Sequence, residues 1–417
     1  MYIKRAIEAT VIRISKTFPV LLVTGPRQVG KTTLLKQLAE ESRRYVTLDD
    51  PDIRRMAKSD PALFMQRFAP PVLIDEIQYA PEILPYVKMH VDSSGSKGDF
   101  WLTGSQAFHM MKNVSESLAG RVGIVNLLGL SSSEIGGLAS EPFTTFPERL
   151  LSRINATRKM GINTIYERIF RGGFPALYSA ENPDLSEFFR SYINTYLQRD
   201  IRDLSQVADE TAFHNFMIIV AARTAKPVMY EEIAKAAGIS APTVKKWLSI
   251  LVSSGLVGFV QPYHNNVLKR VTKMPLMHFL DTGLCAYLLK WGNPEILERG
   301  AMSGAFFESW VFSEIHKSYL NAGKEAPLYY YRDKEKREID LLIYQNGTLY
   351  PIEIKKAASP GAEAVRHFKV LAPITEPERF GALEQYKIEI GNGAVICMAN
   401  DLLPVDQKNW FVPAWMI

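Results

Sequence analysis

The sequence predicts an α/β protein whose N-terminal part is built around a parallel sheet, and three observations support this prediction. Short apolar runs typical of strands occur at Val20–Val23, Tyr45–Leu48, Val72–Ile74, Phe100–Thr103 and Val122–Leu128. The stretches between these runs are long enough for the crossover helices that parallel strands require. A glycine-rich turn follows the first run and leads into a helical pattern, so strand, loop and helix succeed one another there.

The remaining elements divide the chain into further regions, because 417 residues are enough for two to four domains. A helical pattern at Ile3, Ile7, Val11 and Ile14 precedes the first strand. Beyond the sheet, the breaker Arg171–Pro175 separates helical segments, and α/β patterning returns near residue 303. We predict a sheet domain over 1–135, a helical connector over 136–210, a helix-turn-helix region over 211–280 and a second α/β domain over 281–417.

Composition limits the class of protein. Hydrophobic residues make up 47% of the chain and charged residues 22%, which is typical of a packed globular protein. The 49 Lys and Arg against 44 Asp and Glu give a net charge of +5, which permits an anionic partner without requiring one. Cys285 and Cys397 are too far apart in sequence to suggest a disulfide framework or a cysteine zinc site. Charged residues interrupt the N-terminal segment, so we expect a cytoplasmic protein without a membrane span.

A phosphate-binding loop is the strongest motif. The run from Gly25 to Thr32, GPRQVGKT, matches G-x-x-x-x-G-K-[ST] between a strand and a helix. Glycines let successive backbone N–H groups curl around phosphates, and the helix N-terminus adds its positive dipole end. The predicted nucleotide-binding residues are Gly25, Pro26, Arg27, Gln28, Val29, Gly30, Lys31, Thr32 and Thr33. Within this set, Lys31 is expected to hold the β- and γ-phosphates of ATP.

A magnesium ion and a catalytic base are predicted beside this loop. The apolar strand at Val72–Ile74 ends in Asp75 and Glu76. Mg²⁺ bound with a nucleotide takes a hydroxyl from the loop and a carboxylate at the end of a neighbouring strand, which assigns Thr32 and Asp75 as its holders. Glu76 is placed to polarise the attacking water as a general base. Walker A and Walker B motifs are therefore both present.

Two further catalytic residues are predicted downstream. The segment FWLTGSQ resembles the sensor-one strand of AAA-type ATPases, which implies that Ser105 orients water near the γ-phosphate. Arg121, in SLAGR, is a candidate finger for the phosphate of a neighbouring subunit in a homo-oligomer. The alternative for Arg121 is a structural salt bridge, because a surface arginine is usually solvated or paired.

A helix-turn-helix pattern occupies the region from Met229 to Leu256, with Gly238 at the turn. The residues expected to contact DNA are Lys245 and Lys246 on the second helix and Lys269, Arg270 and Lys273 on a β-wing over Gly258–Val260 and Val267–Val271. Basic wings touch phosphates, so contact with the DNA backbone is favoured over reading of bases. Such a winged helix can instead dock a protein partner or act as a lid.

A carboxylate cluster is predicted near the C-terminus. Asp340 lies on one strand, and Glu353 and Lys355 project from one face of the next, joined through Asn346-Gly347. With Glu308 on the preceding helix, these side chains can gather two or three carboxylates and an ammonium, a set that binds Mg²⁺ and activates water. The spacing resembles the D…E-x-K core of restriction-endonuclease-like nucleases. A structural Lys–Glu pair, or a fold that only binds nucleic acid, is the alternative.

The order of these motifs carries a resemblance over nearly the whole chain. GPRQVGKTTLL, YVTLDDPDIRRMA, LIDEIQ, LTGS and SLAGRV, followed by RGGFP and LQRDI, resemble a family of prokaryotic AAA-type ATPases with a C-terminal domain of unknown function. The resemblance implies an ATP-binding P-loop core, a winged-helix segment and a restriction-endonuclease-like tail.

The function expected from the sequence is Mg²⁺-dependent ATP hydrolysis that controls the winged-helix and endonuclease-like regions, acting on DNA. Two alternatives remain open at this point. One is a slow nucleotide-dependent switch or scaffold that recruits a protein partner, and the other is a metal-dependent nuclease gated by ATP.

Overall fold

The structure is a computed structural model, which describes residues 2–104, 114, 117–179, 181, 183–196, 210–263, 274–371 and 388–417. Its first sheet is formed by β1 (Val20–Thr24), β2 (Arg44–Thr47), β3 (Val72–Asp75), β4 (Phe100–Thr103) and β5 (Val122–Asn126). The strand order is β2-β3-β4-β1-β5, and every neighbouring pair is parallel. The predicted parallel α/β sheet is therefore confirmed.

Helices cover both faces of this sheet. They are α1 (Glu8–Thr17), α2 (Lys31–Leu38), α3 (Pro51–Ser59), α4 (Pro61–Arg67) and α5 (Leu84–Ser94). Alternate residues of β1 face opposite ways, so Leu21 and Val23 pack in one buried cluster with α2 while Val20 and Leu22 pack in another. The central strands β1, β3 and β4 are buried along their whole length and are therefore nearly continuous apolar runs, whereas the edge strands β2 and β5 carry exposed residues.

The connector consists of short helices that return towards the sheet. They are α6 (Ser132–Ile135), α7 (Pro147–Ala156), α8 (Ile162–Arg171) and α9 (Leu185–Tyr196). After α8 the chain turns at Gly172, whose φ of 77° is in the left-handed region that favours glycine. The following residue lies against the loop after β5, where the amide of Leu130 donates to the carbonyl of Gly173 at 2.6 Å.

The third region has the order helix, strand, helix, helix, strand, strand. Its elements are α10 (Glu210–Ala221), β6 (Lys226–Pro227), α11 (Tyr230–Ala237), α12 (Ala241–Ser253), β7 (Val257–Pro262) and β8 (Leu276–Phe279). Gly238 takes the left-handed conformation expected at the turn between α11 and α12. The first predicted wing strand corresponds to β7, the predicted strand at 267–271 lies outside the described residues, and β7 pairs with β8.

The C-terminal region continues the same sheet. Its elements are α13 (Thr282–Leu288), α14 (Pro294–Arg299), α15 (Ser303–Asn321), β9 (Leu328–Arg332), β10 (Glu338–Gln345), β11 (Thr348–Lys355), a 3₁₀ helix (Ala362–Leu371), β12 (Glu389–Ile390), β13 (Gly393–Cys397), β14 (Leu403–Pro404) and β15 (Asn409–Pro413). The second sheet has the order β14-β15-β13-β11-β10-β9-β7-β8-β6, with β12 paired to β11. The parallel pair β7–β9 joins the predicted regions 211–280 and 281–417 into one sheet.

Helix α15 lies at the centre of the largest buried cluster. This cluster extends from Ile7 in the N-terminal region to Met416 near the C-terminus. The hydroxyl of the fully buried Ser309 bonds to Thr224 at 2.8 Å and to the imidazole of His278 at 3.1 Å, which fixes α15 against β8. Burial lowers the pKa of His278 to about 3, so this histidine is a neutral core residue at ordinary pH. Among the helices that the structure describes, none is long and apolar enough to cross a bilayer.

The contact between the connector and the sheet domain can be tested at Gly173. A methyl group added there would lie 2.6 Å from the carbonyl oxygen of Leu130, a backbone atom that cannot move aside cheaply. We expect Gly173→Ala to lower the free energy of unfolding by about 1–3 kcal/mol in chemical denaturation.

The matched control is Gly304→Ala in the first turn of α15, where an added methyl group meets nothing within 4 Å. This variant should leave stability unchanged or raise it by up to about 1 kcal/mol, because alanine is the better helix former. Equal effects of the two substitutions would contradict the tight contact at Gly173.

Candidate nucleotide-binding site

The phosphate-binding loop connects the end of β1 to the start of α2. Gly25 has φ 138°, and a methyl group added to it would lie 2.0 Å from the carbonyl oxygen of Leu127, so only glycine fits. Gly30 has φ 89° and caps α2, whose first residue is Lys31. The loop therefore presents backbone amides and a helix N-terminus at the edge of the sheet, as an anion site requires.

Lys31 is held inside this loop. Its side chain is buried, and its ammonium donates to the carbonyl oxygens of Gly25 at 3.0 Å and Pro26 at 2.8 Å. A phosphate oxygen is a stronger partner for an ammonium than a neutral carbonyl oxygen is. A bound nucleotide can therefore draw the same ammonium from the loop carbonyls to its phosphates.

Asp75 at the end of β3 contacts the phosphate-binding loop, and Glu76 follows it in the chain. The hydroxyl of Thr32 donates to Oδ1 of Asp75 at 2.8 Å, and the hydroxyl of Thr103 at the end of β4 donates to the same oxygen. Glu76 follows with φ 58°, and its amide donates to Thr103 Oγ1 at 3.2 Å. The side-chain amide of Gln78 donates to Oε2 of Glu76. Both carboxylates are thus oriented by side chains of the site.

The donors at this point suit a magnesium ion. Mg²⁺ prefers oxygen ligands and keeps several waters, so it needs few protein groups. The adjacent Thr32 hydroxyl and Asp75 carboxylate are the oxygen donors that would hold it. When bound, the ion would neutralise negative charge on the phosphates.

Of the two further catalytic predictions, Ser105 lies outside the described residues. Arg121 immediately precedes β5 and forms a two-contact ion pair with Asp92, with Nη2 3.1 Å from Oδ2. Because the P-loop follows the other end of the sheet, about 16 Å away along the strands, Arg121 does not reach the P-loop of its own chain. The structure shows the salt bridge considered as the alternative, and a role towards a neighbouring subunit stays a prediction.

A buried ion pair that no sequence motif indicated lies next to the P-loop. Arg5 and Glu134 are each 4% exposed, with Arg5 Nε 2.9 Å from Glu134 Oε1. The remaining guanidinium nitrogens of Arg5 donate to the carbonyl oxygens of Val29, at 2.9 Å, and Leu128, at 2.8 Å. One side chain therefore ties the P-loop to the loop after β5.

Helix α15 enters the same network from the C-terminal region. The amide of Ser132 donates to Glu314 Oε2 at 2.7 Å, next to the Glu134 helix turn. Lys317 donates to Glu314 Oε1 at 2.8 Å and to the carbonyl oxygen of Leu130 at 3.0 Å. Buried hydrogen bonds thus connect the surroundings of the P-loop to α15. Glu314 and Lys317 lie three residues apart on α15, and this spacing is the sequence signal that could have revealed the contact.

Two further regions of the chain lie close to Pro26 and Gly30 of the P-loop. A methyl group added at Gly255, in the turn after α12, would lie 2.9 Å from Cδ of Pro26. One added at Gly30 would lie 3.9 Å from Cγ of Pro175, in the segment after α8. The connector and the helix-turn-helix region therefore both lie against the loop that is expected to bind nucleotide.

The C-terminal carboxylates approach one another through the predicted hairpin. Strands β10 and β11 pair antiparallel with Leu341 opposite Ile352, which places Asp340 next to Glu353. Asp340 Oδ2 accepts the amide of Ile354 at 2.7 Å, and the ammonium of Lys355 lies 2.5 Å from Glu353 Oε1. The hairpin predicted at Asn346-Gly347 is formed, and its register brings Asp340 and Glu353 together.

Burial and mutual repulsion raise the pKa values of these acids. Burial, followed by repulsion from Glu353, raises the pKa of Asp340 to about 7. Burial and the Asp340 charge raise the pKa of Glu308 well above its ordinary value. Burial also raises the pKa of Glu353, although its bond to Lys355 opposes the shift. The charges of the hairpin carboxylates therefore act on the pKa of Glu308, so the four predicted residues belong to one electrostatic cluster.

A metal centre of the predicted kind is not formed as these side chains lie. Within the described parts of the chain, no three His, Cys, Asp or Glu side chains are grouped closely enough to hold a metal ion. The physical reason is that Lys355 and the Ile354 amide each occupy one carboxylate oxygen of the pair. Glu353 Oε2 is buried and has no hydrogen-bond partner among the described residues. Nuclease activity stays a prediction.

The predicted DNA contacts are described in part. Lys245 and Lys246 lie exposed on α12, and the Lys245 ammonium is 5.2 Å from the centre of the Tyr230 ring. Lys269, Arg270 and Lys273 lie outside the described residues.

The parallel sheet, the glycine loop and the paired Thr32 and Asp75 are the features of a P-loop nucleotide-binding domain. Comparison with protein families agrees, because the AAA domain family matches residues 17–136. Two domains of unknown function match the rest, DUF8612 over residues 162–295 and DUF4143 over residues 303–417. The part of the resemblance that concerns an AAA-type domain is therefore confirmed for residues 17–136.

Two curated relatives establish the family. Uncharacterised proteins of Mycobacterium tuberculosis (Rv2008c) and Mycobacterium bovis (Mb2031c) are each 31% identical over 346 residues, which cover 82% of this chain and 71% of theirs. The chain belongs to the same family as these two mycobacterial proteins.

Solved structures give weaker likenesses. A Walker-type ATPase of Pyrococcus abyssi is 15% identical, with 69% of this chain and 96% of that chain covered and a TM-score of 0.43. A variant of RuvB from Thermotoga maritima is 18% identical, with 61% and 85% covered and a TM-score of 0.25. At TM-scores below 0.5, neither likeness adds to the assignment.

The Arg5–Glu134 pair can be tested by removing one partner or both. We expect Arg5→Met to lower the free energy of unfolding by about 3–5 kcal/mol, because Glu134 is left buried without its cation. Arg5→Met/Glu134→Gln should recover part of that loss, because the amide carries no stranded charge and its oxygen can still accept a backbone amide of Ala6 or Ser131. Nucleotide affinity should stay reduced in both variants, because the Val29 carbonyl has lost its donor.

The matched control is Glu232→Gln, which breaks an exposed pair with Arg223 and should change stability by at most about 1 kcal/mol. Chemical denaturation and titration with a fluorescent ATP analogue measure the two effects. A double variant with the nucleotide affinity of the wild type would show that the pair does not support the P-loop.

The raised pKa of Asp340 predicts a pH-dependent stability. An aspartate that titrates near 3.8 in the unfolded chain and near 7 in the folded chain stabilises the fold below about pH 4, and this contribution is lost as the pH rises towards about 7. Asp340→Asn keeps the oxygen that accepts the Ile354 amide but removes the titration. Unfolding free energies without divalent cations should therefore fall less between pH 4 and 7 in the variant. Equal slopes would show that Asp340 has an ordinary pKa.

Proposed function

We propose that this protein is a Mg²⁺-dependent ATPase whose nucleotide state controls the conformation of its C-terminal regions. The observation that supports this most is the position of the P-loop, which lies where Arg5, the Pro175 segment and the Gly255 turn meet. A phosphate that draws Lys31 from the carbonyls of Gly25 and Pro26 changes the loop at that meeting point. Hydrolysis would reverse the change.

Each residue of the nucleotide site would have its own role in binding ATP or in hydrolysing it. Lys31 and the loop amides would bind the β- and γ-phosphates, and Thr32 and Asp75 would hold the magnesium ion. Glu76 would accept the proton of the attacking water, and Gln78 fixes its carboxylate for this role. Thr103 orients both acids by donating to Asp75 and accepting from the Glu76 amide.

The route from the nucleotide to the C-terminal region would run through buried polar contacts. Arg5 holds the Val29 carbonyl and Glu134, and the adjacent Ser132 amide bonds to Glu314 on α15. Glu308 lies on the same helix, six residues before Glu314, about 9 Å along its axis. A shift of α15 would therefore move a member of the carboxylate cluster.

The third region is proposed to be a winged helix, because its order of helices and strands and its left-handed Gly238 suit that fold. Its DNA contacts would be Lys245 and Lys246 on α12, with Lys269, Arg270 and Lys273 on the wing. Contact with the phosphate backbone of DNA in the cytoplasm is the favoured use. Docking of a protein partner by a slowly hydrolysing switch is the alternative.

A metal-dependent nuclease is a second candidate function. The observation in its favour is the buried Glu353 Oε2, which has no hydrogen-bond partner among the described residues. Glu353 also lines a cleft together with Lys355, Glu363, Arg366 and His367. The cleft has a volume of about 320 Å³. An anionic backbone would be attracted to its basic side.

Single substitutions can separate ATP binding from ATP hydrolysis. Lys31→Ala should weaken ATP binding at least about tenfold, because it removes a charged hydrogen-bond donor to the phosphates. Glu76→Gln should bind ATP like the wild type and lower kcat about 10²–10⁴-fold, because only the base is lost. Binding is measured with a fluorescent ATP analogue and turnover by phosphate release.

The comparison of binding and turnover between Lys31→Ala and Glu76→Gln tests the two assigned roles. An equal loss of binding in both would contradict the roles given to Lys31 and Glu76. Turnover by Glu76→Gln at the wild-type rate would point to another base.

A further inference from the structure

Tyr45 contacts the acid that is expected to hold magnesium, although it belongs to neither Walker motif. Its hydroxyl donates to Oδ2 of Asp75 at 3.0 Å. The other oxygen, Oδ1, accepts the hydroxyls of Thr32 and Thr103. Both oxygens of the carboxylate are therefore directed by hydroxyl groups, and Tyr45 alone among the described residues directs Oδ2.

The strand register explains how Tyr45 reaches this position. Strand β2 lies beside β3 at the edge of the sheet, with Thr47 opposite Asp75. Tyr45 is two residues earlier and projects from the same face as Thr47, while Val46 between them is buried in the opposite core. Its long side chain runs diagonally across to Asp75, a distance that a shorter hydroxyl residue would not cover.

Helix α2 holds the aromatic ring in place. The Lys36 ammonium lies 3.5 Å from the centre of the Tyr45 ring, a cation–π contact. Lys36 comes one helical turn after Thr32, so both side chains project from the same side of α2. The contacts close a ring, from Thr32 to Asp75, from Asp75 to Tyr45, and from Tyr45 through Lys36 back to α2.

We propose that Tyr45 is a positioning residue that sets the orientation of the Asp75 carboxylate for magnesium. This inference rests on the proposed Mg²⁺-dependent nucleotide site. A carboxylate fixed at one oxygen only can rotate about its Cβ–Cγ bond, whereas donors at both oxygens define its plane. Preorganised ligands bind a cation without the cost of ordering them at the moment of binding.

The test is Tyr45→Phe, which keeps the ring under Lys36 and removes only the hydroxyl. A fluorescent ATP analogue is titrated in EDTA and then at increasing Mg²⁺ concentrations, so that the readout is affinity and not turnover. In EDTA the variant should bind like the wild type. The Mg²⁺ concentration for half of the gain in affinity should rise about five- to tenfold, as expected for a lost hydrogen bond to a charged group. Tyr86→Phe, on the exposed face of α5, is the control and should change neither value.

The possible failures are distinguishable. A wild-type Mg²⁺ dependence that Tyr45→Phe leaves unchanged would overturn the role of Tyr45 and leave the nucleotide site intact. An equal loss of affinity with and without Mg²⁺ would also overturn it, because the effect would then not act through the cation. A wild-type protein whose affinity for the analogue does not respond to Mg²⁺ would overturn both this inference and the proposed magnesium site.

Discussion

The buried ion pair between Arg5 and Glu134 is the interaction on which the arrangement of the P-loop depends. Its guanidinium satisfies two backbone carbonyls as well as the carboxylate, one in the P-loop and one after β5. A buried charge pair contributes little net stability, but loss of one partner leaves an uncompensated charge. The pair therefore acts mainly as a constraint, because the P-loop and helix α6, which carries Glu134, cannot separate without leaving a buried charge without its partner.

The regions beyond the P-loop depend on this constraint because they are not independent modules. The pairing of β7 with β9 makes the helix-turn-helix region and the C-terminal region share one sheet, and α15 packs at the centre of the cluster that includes both. Glu314 and Lys317 then attach α15 to the loop next to Glu134. A change at the nucleotide site is transmitted to a joined body of this kind more readily than to a domain on a linker.

The sequence was sufficient for features that arise from local patterning. Apolar runs predicted the five parallel strands, the P-loop motif with the Asp75 strand predicted the meeting of Thr32 and Asp75, and Asn346-Gly347 predicted the β10–β11 hairpin. It was insufficient for contacts between side chains distant in sequence. The sequence positions of Arg5 and Tyr45 do not indicate which carboxylates they contact. The E-x-K motif likewise does not show that Lys355 forms an ion pair with Glu353.

We propose that binding of ATP at the P-loop alters helix α15. Hydrogen–deuterium exchange of the Glu76→Gln protein, which should hold ATP without turning it over, tests this most directly when compared with and without ATP and Mg²⁺. We expect altered exchange in the P-loop and also in the peptides covering residues 128–135 and 303–321. Altered exchange confined to the P-loop, with α15 unchanged, would contradict the transmission of nucleotide state to the C-terminal regions.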